Sequence, residues 1–134
     1  MTEEEWHLFL YSGSPIIATV GTLHSDLCRE IGASSPIIRM HHAYALKCSQ
    51  KHGIDPYQFP MLPITIEFGR CICDHPQHLT FFHFDEVVFG SWFHATLKTD
   101  KSGTEIWVNT FHQTRPREVE RKCSKSPILR PEKW

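Results

Sequence analysis

Apolar residues follow a helical spacing in the first half of the chain. In residues 16–31 they recur every three or four positions, which predicts an amphipathic helix that ends at Gly32. Residues 41–52 predict a second helix, and residues 61–69 predict a third, shorter one. The stretch at 3–13 precedes these helices and is either a short strand or an N-terminal arm.

Beyond Gly69 the spacing changes to an alternation of apolar and polar residues, which is typical of strands. Four such stretches, separated by short turns, lie at 70–75, 78–84, 91–98 and 104–112. Consecutive strands with short turns predict an antiparallel meander. Pro116 suits the first turn of a last helix. The predicted fold is therefore α+β, with N-terminal helices packed on a four-stranded antiparallel sheet and a short C-terminal helix.

The composition fits one folded domain, since the 134 residues are 40% hydrophobic and long enough to bury a core. The net charge of −1 gives no overall attraction to nucleic acid, so a site for a polyanion must be local. Basic residues are concentrated near the C-terminus: Arg115, Arg117, Arg121, Lys122, Lys125, Arg130 and Lys133. They indicate either such a local site or simply a solvated surface with a frayed tail.

The cysteines and the N-terminus bear on the compartment. The chain has five cysteines, an odd number, and Met1 is followed by acidic residues rather than by a leader sequence. No apolar run approaches the roughly 20 residues that a membrane-spanning helix needs. We therefore expect free thiols, a reducing cytoplasm and no membrane association.

Polar side chains collect where the last two predicted strands meet. One face of the last strand carries Ile106, Val108, Thr110 and His112. One face of the preceding strand carries Trp92, His94, Thr96 and Lys98. If these faces coincide, Lys98, Thr110 and His112 form a polar cluster with Arg115 just beyond it. The pairing register decides this, and it cannot be read from the sequence alone.

Such a cluster suits phosphodiester chemistry. An imidazole can take the proton from a ribose 2′-hydroxyl, and a Lys or Arg side chain can stabilise the negative charge that develops on phosphorus. Arg also binds phosphate through two parallel hydrogen bonds. The alternative is that His112 and Arg115 merely decorate the end of an exposed strand.

Zinc binding is a second possibility, because Cys71, Cys73, His75 and His78 are ligand types that zinc accepts. Their spacing matches no closed four-ligand site, and cysteine also packs as a small hydrophobic residue. No metal and no cofactor are therefore predicted. The chain has no Gly-rich phosphate loop and no Gly-x-Ser-x-Gly motif, and no cysteine is singled out as a nucleophile.

The order of four segments resembles the phage-associated nuclease domains of the barnase–EndoU–colicin–RelE (BECR) group. The segments are "MHHAYALKCSQKHG", "LPITIEFGR", "HLTFFHF" and "WFHATLKTDKSGTEIWVNTFHQTRPREVERK". The resemblance spans about residues 38–123, with residues 1–37 outside it as a cap or oligomerisation element and 124–134 as a basic tail. The positions that match the group's pattern are Lys47, Lys51, His52, Leu62, Pro63, Gly69, Lys98, Gly103, Glu105, Thr110, Phe111, His112 and Arg115.

This resemblance implies metal-independent cleavage of RNA by a toxin-like protein of a phage or prophage. It implies that Lys47 and His52 face the sheet together with Lys98, Thr110 and His112. His112 or His52 is then the base and acid, while Lys47, Lys98 and Arg115 hold the phosphate. The implied partners are RNA and a cognate antitoxin or host protein. The alternative is a non-catalytic accessory or inhibitor protein that binds a host protein or nucleic acid.

Overall fold

A computed structural model describes residues 1–132. Within that range the chain forms five helices and one seven-stranded sheet of α+β architecture. The helices are α1 (Glu3–Ser12), α2 (Ser25–Ile31), α3 (His42–His52), α4 (Met61–Phe68) and α5 (Pro116–Cys123). The strands are β1 (Ile17–Thr22), β2 (Ile37–His41), β3 (Arg70–His75), β4 (His78–Asp85), β5 (Ser91–Thr99), β6 (Ile106–Thr114) and β7 (Ile128–Arg130).

The sheet is mixed, and its strands lie in the order β1-β2-β6-β5-β4-β3-β7. All neighbours are antiparallel except β2 and β6, which run parallel over two residue pairs, Ile38 with Ile106 and Arg39 with Trp107. The predicted meander is present as β3 to β6 at the centre of the sheet. Over residues 1–132, every helix falls short of the length and apolar character that a bilayer span requires.

The prediction of a four-stranded antiparallel sheet is wrong, because β1, β2 and β7 extend it on both sides. The predicted helix over 16–31 is also wrong in its first half, which is β1. There Ala18 and Val20 are buried while Ile17 is exposed, a period of two that favours a strand among β-branched residues. The helical spacing arose where this strand meets α2, which keeps its own apolar face.

The N-terminal stretch is a helix rather than a strand or an arm. The Thr2 hydroxyl accepts a hydrogen bond from the backbone N–H of Glu5, and the Glu5 carboxylate accepts one from the N–H of Thr2. This reciprocal cap satisfies two donors that a helix start leaves free. Trp6 is then buried and stacks on Phe59, with 4.9 Å between ring centroids, so α1 packs into the same core as the later elements.

The two faces of the sheet are covered unequally. Residues from α1, α2, α3 and α4 pack on one face and form the main hydrophobic core. The opposite face has a small core in which Val119 of α5 packs against Ile72 and Phe82, with Trp92 at its side. This smaller layer leaves polar side chains of β5 and β6 beside α5, and that is where the candidate site lies.

A β-bulge in β6 decides which side chains reach that face. Thr96 pairs with Thr110 and Leu97 pairs with Val108, so Asn109 is an extra residue in β6. The extra residue reverses the alternation, and both Val108 and Phe111 enter the main core. The prediction that Ile106 and Val108 share a face with Thr110 and His112 is therefore wrong.

Gly103 joins the turn before β6 to the end of α2. It has φ +72°, and a Cβ atom there would lie 2.2 Å from the backbone oxygen of Gly32. We expect Gly103→Ala to lower the free energy of unfolding by about 3 kcal/mol or more, because backbone cannot yield as a side chain does. Gly90→Ala is the control, since Gly90 has φ +56° but open space around it, and should cost about 1 kcal/mol. Urea denaturation measures both, and equal losses would contradict the close approach.

Candidate functional site

The faces of β5 and β6 that carry polar residues do coincide. His94 pairs with His112, and Thr96 pairs with Thr110. Directly opposed residues in antiparallel strands have Cβ atoms about 5 Å apart, so side chains in one pair touch. The result is a pair of histidines on the α5 face, with two threonines one step further along the strands.

The two histidines are joined by a continuous chain of hydrogen bonds. His94 Nδ1 lies 2.8 Å from His112 Nε2, Thr96 Oγ1 lies 3.2 Å from His94 Nε2, and His112 Nδ1 lies 2.7 Å from the Gln113 carbonyl oxygen. The carbonyl can only accept, so His112 carries its proton on Nδ1 and, when neutral, accepts at Nε2. His94 then donates from Nδ1 and accepts at Nε2 from the Thr96 hydroxyl.

The same chain accommodates a positive charge on His112. A protonated His112 donates from both ring nitrogens, and His94 responds by accepting at Nδ1 and donating from Nε2 to the Thr96 oxygen. Thr96 can do this because a hydroxyl is both donor and acceptor. His94 thus stays neutral in both states. When His112 gains a proton, the proton of His94 moves from Nδ1 to Nε2.

Burial keeps His94 neutral. Its side chain is 5% exposed and stacks on Phe82, with ring centroids 4.9 Å apart. Loss of water around the ring lowers the pKa of His94 to about 3, and the nearby charges of His112, Lys122 and His52 act in the same direction. His94 is therefore neutral at physiological pH.

A third histidine comes from α3. Because β2 leaves β6 after two residue pairs, α3 packs against β6 where a strand would otherwise continue. Gly53 ends α3 with φ +65°, which leaves His52 in the last helical turn. The rings of His52 and His112 have centroids 5.0 Å apart. We call His52, His94 and His112 the histidine cluster.

His52 differs from His94 and His112 because it is exposed and its ring forms no hydrogen bond within the described residues. Neither ring nitrogen of His52 makes a hydrogen bond to another residue in the described part of the chain. Partial burial lowers the pKa of His52, and His112, Lys47 and Lys51 lower it further. The neutral ring, with a free lone pair, is therefore the dominant form near pH 7.

Helix α5 adds positive charge on the other side of the cluster. His94, His112, Phe82 and Thr114 line a cavity of about 260 Å³ together with Glu118, Arg121 and Lys122 of α5. Glu118 and Arg121 form an ion pair at 2.8 Å, whereas Lys122 has no ion-pair partner within residues 1–132. Lys122 is thus the free cation of this cavity, which we call the histidine cavity.

A second, more open depression of about 600 Å³ adjoins the first and shares three residues with it. It is lined by Gln113, Thr114, Arg115, Arg117, Glu118 and Arg121. Arg115 and Arg117 lack ion-pair partners among the described residues, so the depression is positively charged. The two cavities together form a positively charged groove along α5.

Five of the six predicted site residues lie in or near the histidine cluster and the groove. His52, Thr110 and His112 meet on the α5 face, and Arg115 lines the adjoining depression. The side-chain oxygen of Thr110 is buried and has no hydrogen-bond partner in the described residues. Lys47 lies near enough to His52 to lower the pKa of that ring.

Lys98 stands apart from this group. It shares the face of His94 but lies four residues further along β5, roughly 13 Å away at about 3.3 Å per residue. Its cross-strand neighbours are His78 and Trp107. Its charge helps to lower the pKa of His78, after burial and the charge of His75. Lys98 therefore belongs to the surroundings of His78 rather than to the histidine cluster.

The residues considered for zinc do not gather into a metal site. In residues 1–132 no three His, Cys, Asp or Glu side chains are arranged to hold a metal ion. Cys71 is buried in the main core, and burial raises the pKa of its thiol to about 12. The Cys73 thiol donates to the His75 carbonyl oxygen at 3.3 Å, and the His75 and His78 rings contact each other with centroids 4.5 Å apart.

Sequence reasoning overlooked three members of the site. His94 and Thr96 were placed on the correct face by strand alternation, but no pattern marked them as bonded to each other and to His112. Lys122 follows Glu118 by one helical turn of α5, so helical spacing could have placed it beside the same cavity.

Comparisons of the chain with protein-family models, with curated proteins and with solved structures found no match.

Proposed function

We propose that this protein is a metal-independent endoribonuclease. The observation that carries the proposal is the free, neutral imidazole of His52 beside the hydrogen-bonded His112, which lines the same cavity as the unpaired cation Lys122. An imidazole that is neutral near pH 7 is suited to general-base catalysis, and a cation beside it suits an anionic transition state.

His52 supplies the base. It takes the proton from a ribose 2′-hydroxyl, the 2′-oxygen forms a bond to phosphorus, and the bond from phosphorus to the 5′-oxygen breaks. The protonated His52 then returns that proton to the leaving 5′-oxygen. The products are a 2′,3′-cyclic phosphate and a free 5′-hydroxyl, so atoms and charge balance without water or metal.

His112 and His94 position the base and set its acidity. His112 lowers the pKa of His52, which favours the unprotonated ring before reaction and the return of the proton afterwards. His94 holds the His112 ring in place through the 2.8 Å hydrogen bond, in either of its tautomers. These two residues act through His52 and are positioning residues in this mechanism.

The groove along α5 holds the phosphate backbone. Lys122 neutralises the reacting phosphate, and Arg115 and Arg117 bind the phosphate that follows it. Lys47 completes the positive field on the α3 side. In this arrangement Lys122 takes the role that the sequence assigned to Lys98.

The biological setting follows from the sequence resemblance, which supports a toxin-like ribonuclease of a phage or prophage with a cognate antitoxin. The sheet differs from the four strands which that resemblance implies. The proposed activity therefore depends on the histidine cluster and the groove, and the fold adds nothing to it.

A second function is favoured by one observation. Both ring nitrogens of His112 and both of His94 are already hydrogen-bonded, which also suits a rigid, non-catalytic surface. On this alternative the groove binds nucleic acid or a host protein without cleaving it. Binding of RNA to an intact chain with no cleavage would identify this case.

The deciding experiment is incubation of purified protein with total RNA in EDTA. We expect cleavage with 2′,3′-cyclic phosphate ends, reduced by about 10²-fold in Lys122→Ala, because that variant loses the charge beside the reacting phosphate. Lys98→Ala is the matched control and should keep most of the activity. Absence of cleavage, or equal losses in the two variants, would contradict the proposal.

A further inference from the structure

A third cavity lies on the same face of the sheet, at the start of α5. It measures about 400 Å³, within the range of small-molecule sites, and is lined by Arg70, His83, Phe84, Glu86, Trp92, Pro116 and Glu132. We call it the aromatic cavity. Trp92 on its wall pairs with Thr114, which lines the histidine cavity, so the two cavities are neighbours across one strand pair.

The walls of the aromatic cavity are flat and apolar. Phe84 and Trp92 are cross-strand neighbours with ring centroids 5.5 Å apart and planes inclined by 52°. Phe84 is 38% exposed, while Trp92 is anchored against the small core of Phe82 and Val119. An anchored aromatic platform beside a charged groove is the arrangement on which nucleobases stack.

The polar rim offers donors and acceptors with little positive charge. Arg70 donates from Nε and Nη2 to the two carboxylate oxygens of Glu132, at 2.7 and 2.6 Å. Glu86 adds an exposed carboxylate that forms no ion pair within residues 1–132. One guanidinium and two carboxylates repel phosphate, in contrast to the groove, but they suit a neutral ring with a polar edge.

We infer that the aromatic cavity binds a nucleobase of the RNA, with guanine preferred, while the adjoining groove binds its phosphate. Guanine presents O6 and N7 as acceptors for an Arg side chain. Its N1–H and 2-amino groups are adjacent donors, which match the two oxygens of one carboxylate such as Glu86. Adenine has no such donor pair on that edge. This inference rests on the proposed function in assigning the ligand to RNA.

The test is calorimetric titration of the intact protein with guanosine, which carries no phosphate, and with adenosine. We expect guanosine to bind more tightly than adenosine, and Phe84→Ala to weaken guanosine binding by about tenfold through loss of stacking. Phe68→Ala is the matched control, because Phe68 is 36% exposed but lies on α4, over the opposite face. Trp92→Phe, which keeps an aromatic ring in the small core, should weaken binding without unfolding.

Titration of His52→Ala separates this inference from the nuclease proposal. Guanosine binding that depends on Phe84 and is unchanged in His52→Ala supports the base site whether or not RNA is cleaved. RNA cleavage by a protein whose guanosine binding is undetectable, or is the same in Phe84→Ala and Phe68→Ala, would overturn the inference and leave the nuclease intact. Equal binding of adenosine and guanosine would overturn the preference for guanine.

Discussion

Replacement of His52 by alanine is expected to lower the rate of RNA cleavage by about 10²- to 10⁴-fold, the usual contribution of a general base. The variant should fold normally, because His52 is exposed and makes no hydrogen bond to another residue in the part of the chain described. The measurement is kcat/KM on a short RNA, with circular dichroism to confirm folding.

The pH profile gives this prediction a second readout. In the proposed mechanism the neutral form of His52 is the active one, so cleavage should rise with pH through the pKa of His52 and level off above it. Because burial and neighbouring charges lower that pKa from 6.5, the midpoint of the rise should lie below pH 6.5. His7→Ala removes an exposed histidine of α1 and serves as control. Full activity in His52→Ala would exclude His52 as the base.

The second large effect concerns stability in mild acid. His94 has a pKa of about 3 in the folded protein and near 6.5 in the unfolded chain, so below pH 6.5 the unfolded chain binds the extra proton. The free energy of unfolding should therefore fall as the pH falls, by about 2 kcal/mol between pH 7 and pH 5 from this residue alone. Urea denaturation at several pH values in that interval measures it.

A substitution isolates this effect of His94. His94→Gln keeps a polar side chain that can bond Thr96 but cannot titrate, so its stability should fall less steeply from pH 7 to pH 5. His83 provides the comparison, because burial lowers its pKa as well but it lies outside the histidine cluster. If His94→Gln and the unchanged protein lose stability in parallel, His94 does not bind the proton that destabilises the fold.

The central strands were predictable because alternation is a local property. Strands β3 to β6 and the Pro116 start of α5 lie where the pattern placed them. The outer strands β1 and β2 were not predictable. They join the sheet through a long-range parallel pairing of β2 with β6, which no local pattern encodes. The segment at 16–31 failed for a related reason: apolar residues on one side of a strand and the next helix together imitated one helical face.

The site was predictable in its residue types more than in its geometry. Strand alternation brought Thr110 and His112 to the correct face, yet the bulge at Asn109 that puts them there left no trace in the apolar pattern. His52 was found through its motif and Lys122 was not, because the position of α5 over the sheet depends on the packing of Val119. Lys98 was predicted to join the cluster because it shares a face with His94. Residues that share a face of a strand can nevertheless lie far apart along it, and Lys98 does.

Because β2 pairs with β6 over only two residue pairs, the histidine cluster is carried partly by the central sheet and partly by helix α3. His94 and His112 are fixed by the rigid central sheet, whereas His52 is borne on the last turn of a surface helix next to a glycine. Exchange of that single turn would replace the proposed base, His52, while leaving His112 and His94 in place. The fold therefore allows the side chain at this position to change without any change in the central sheet.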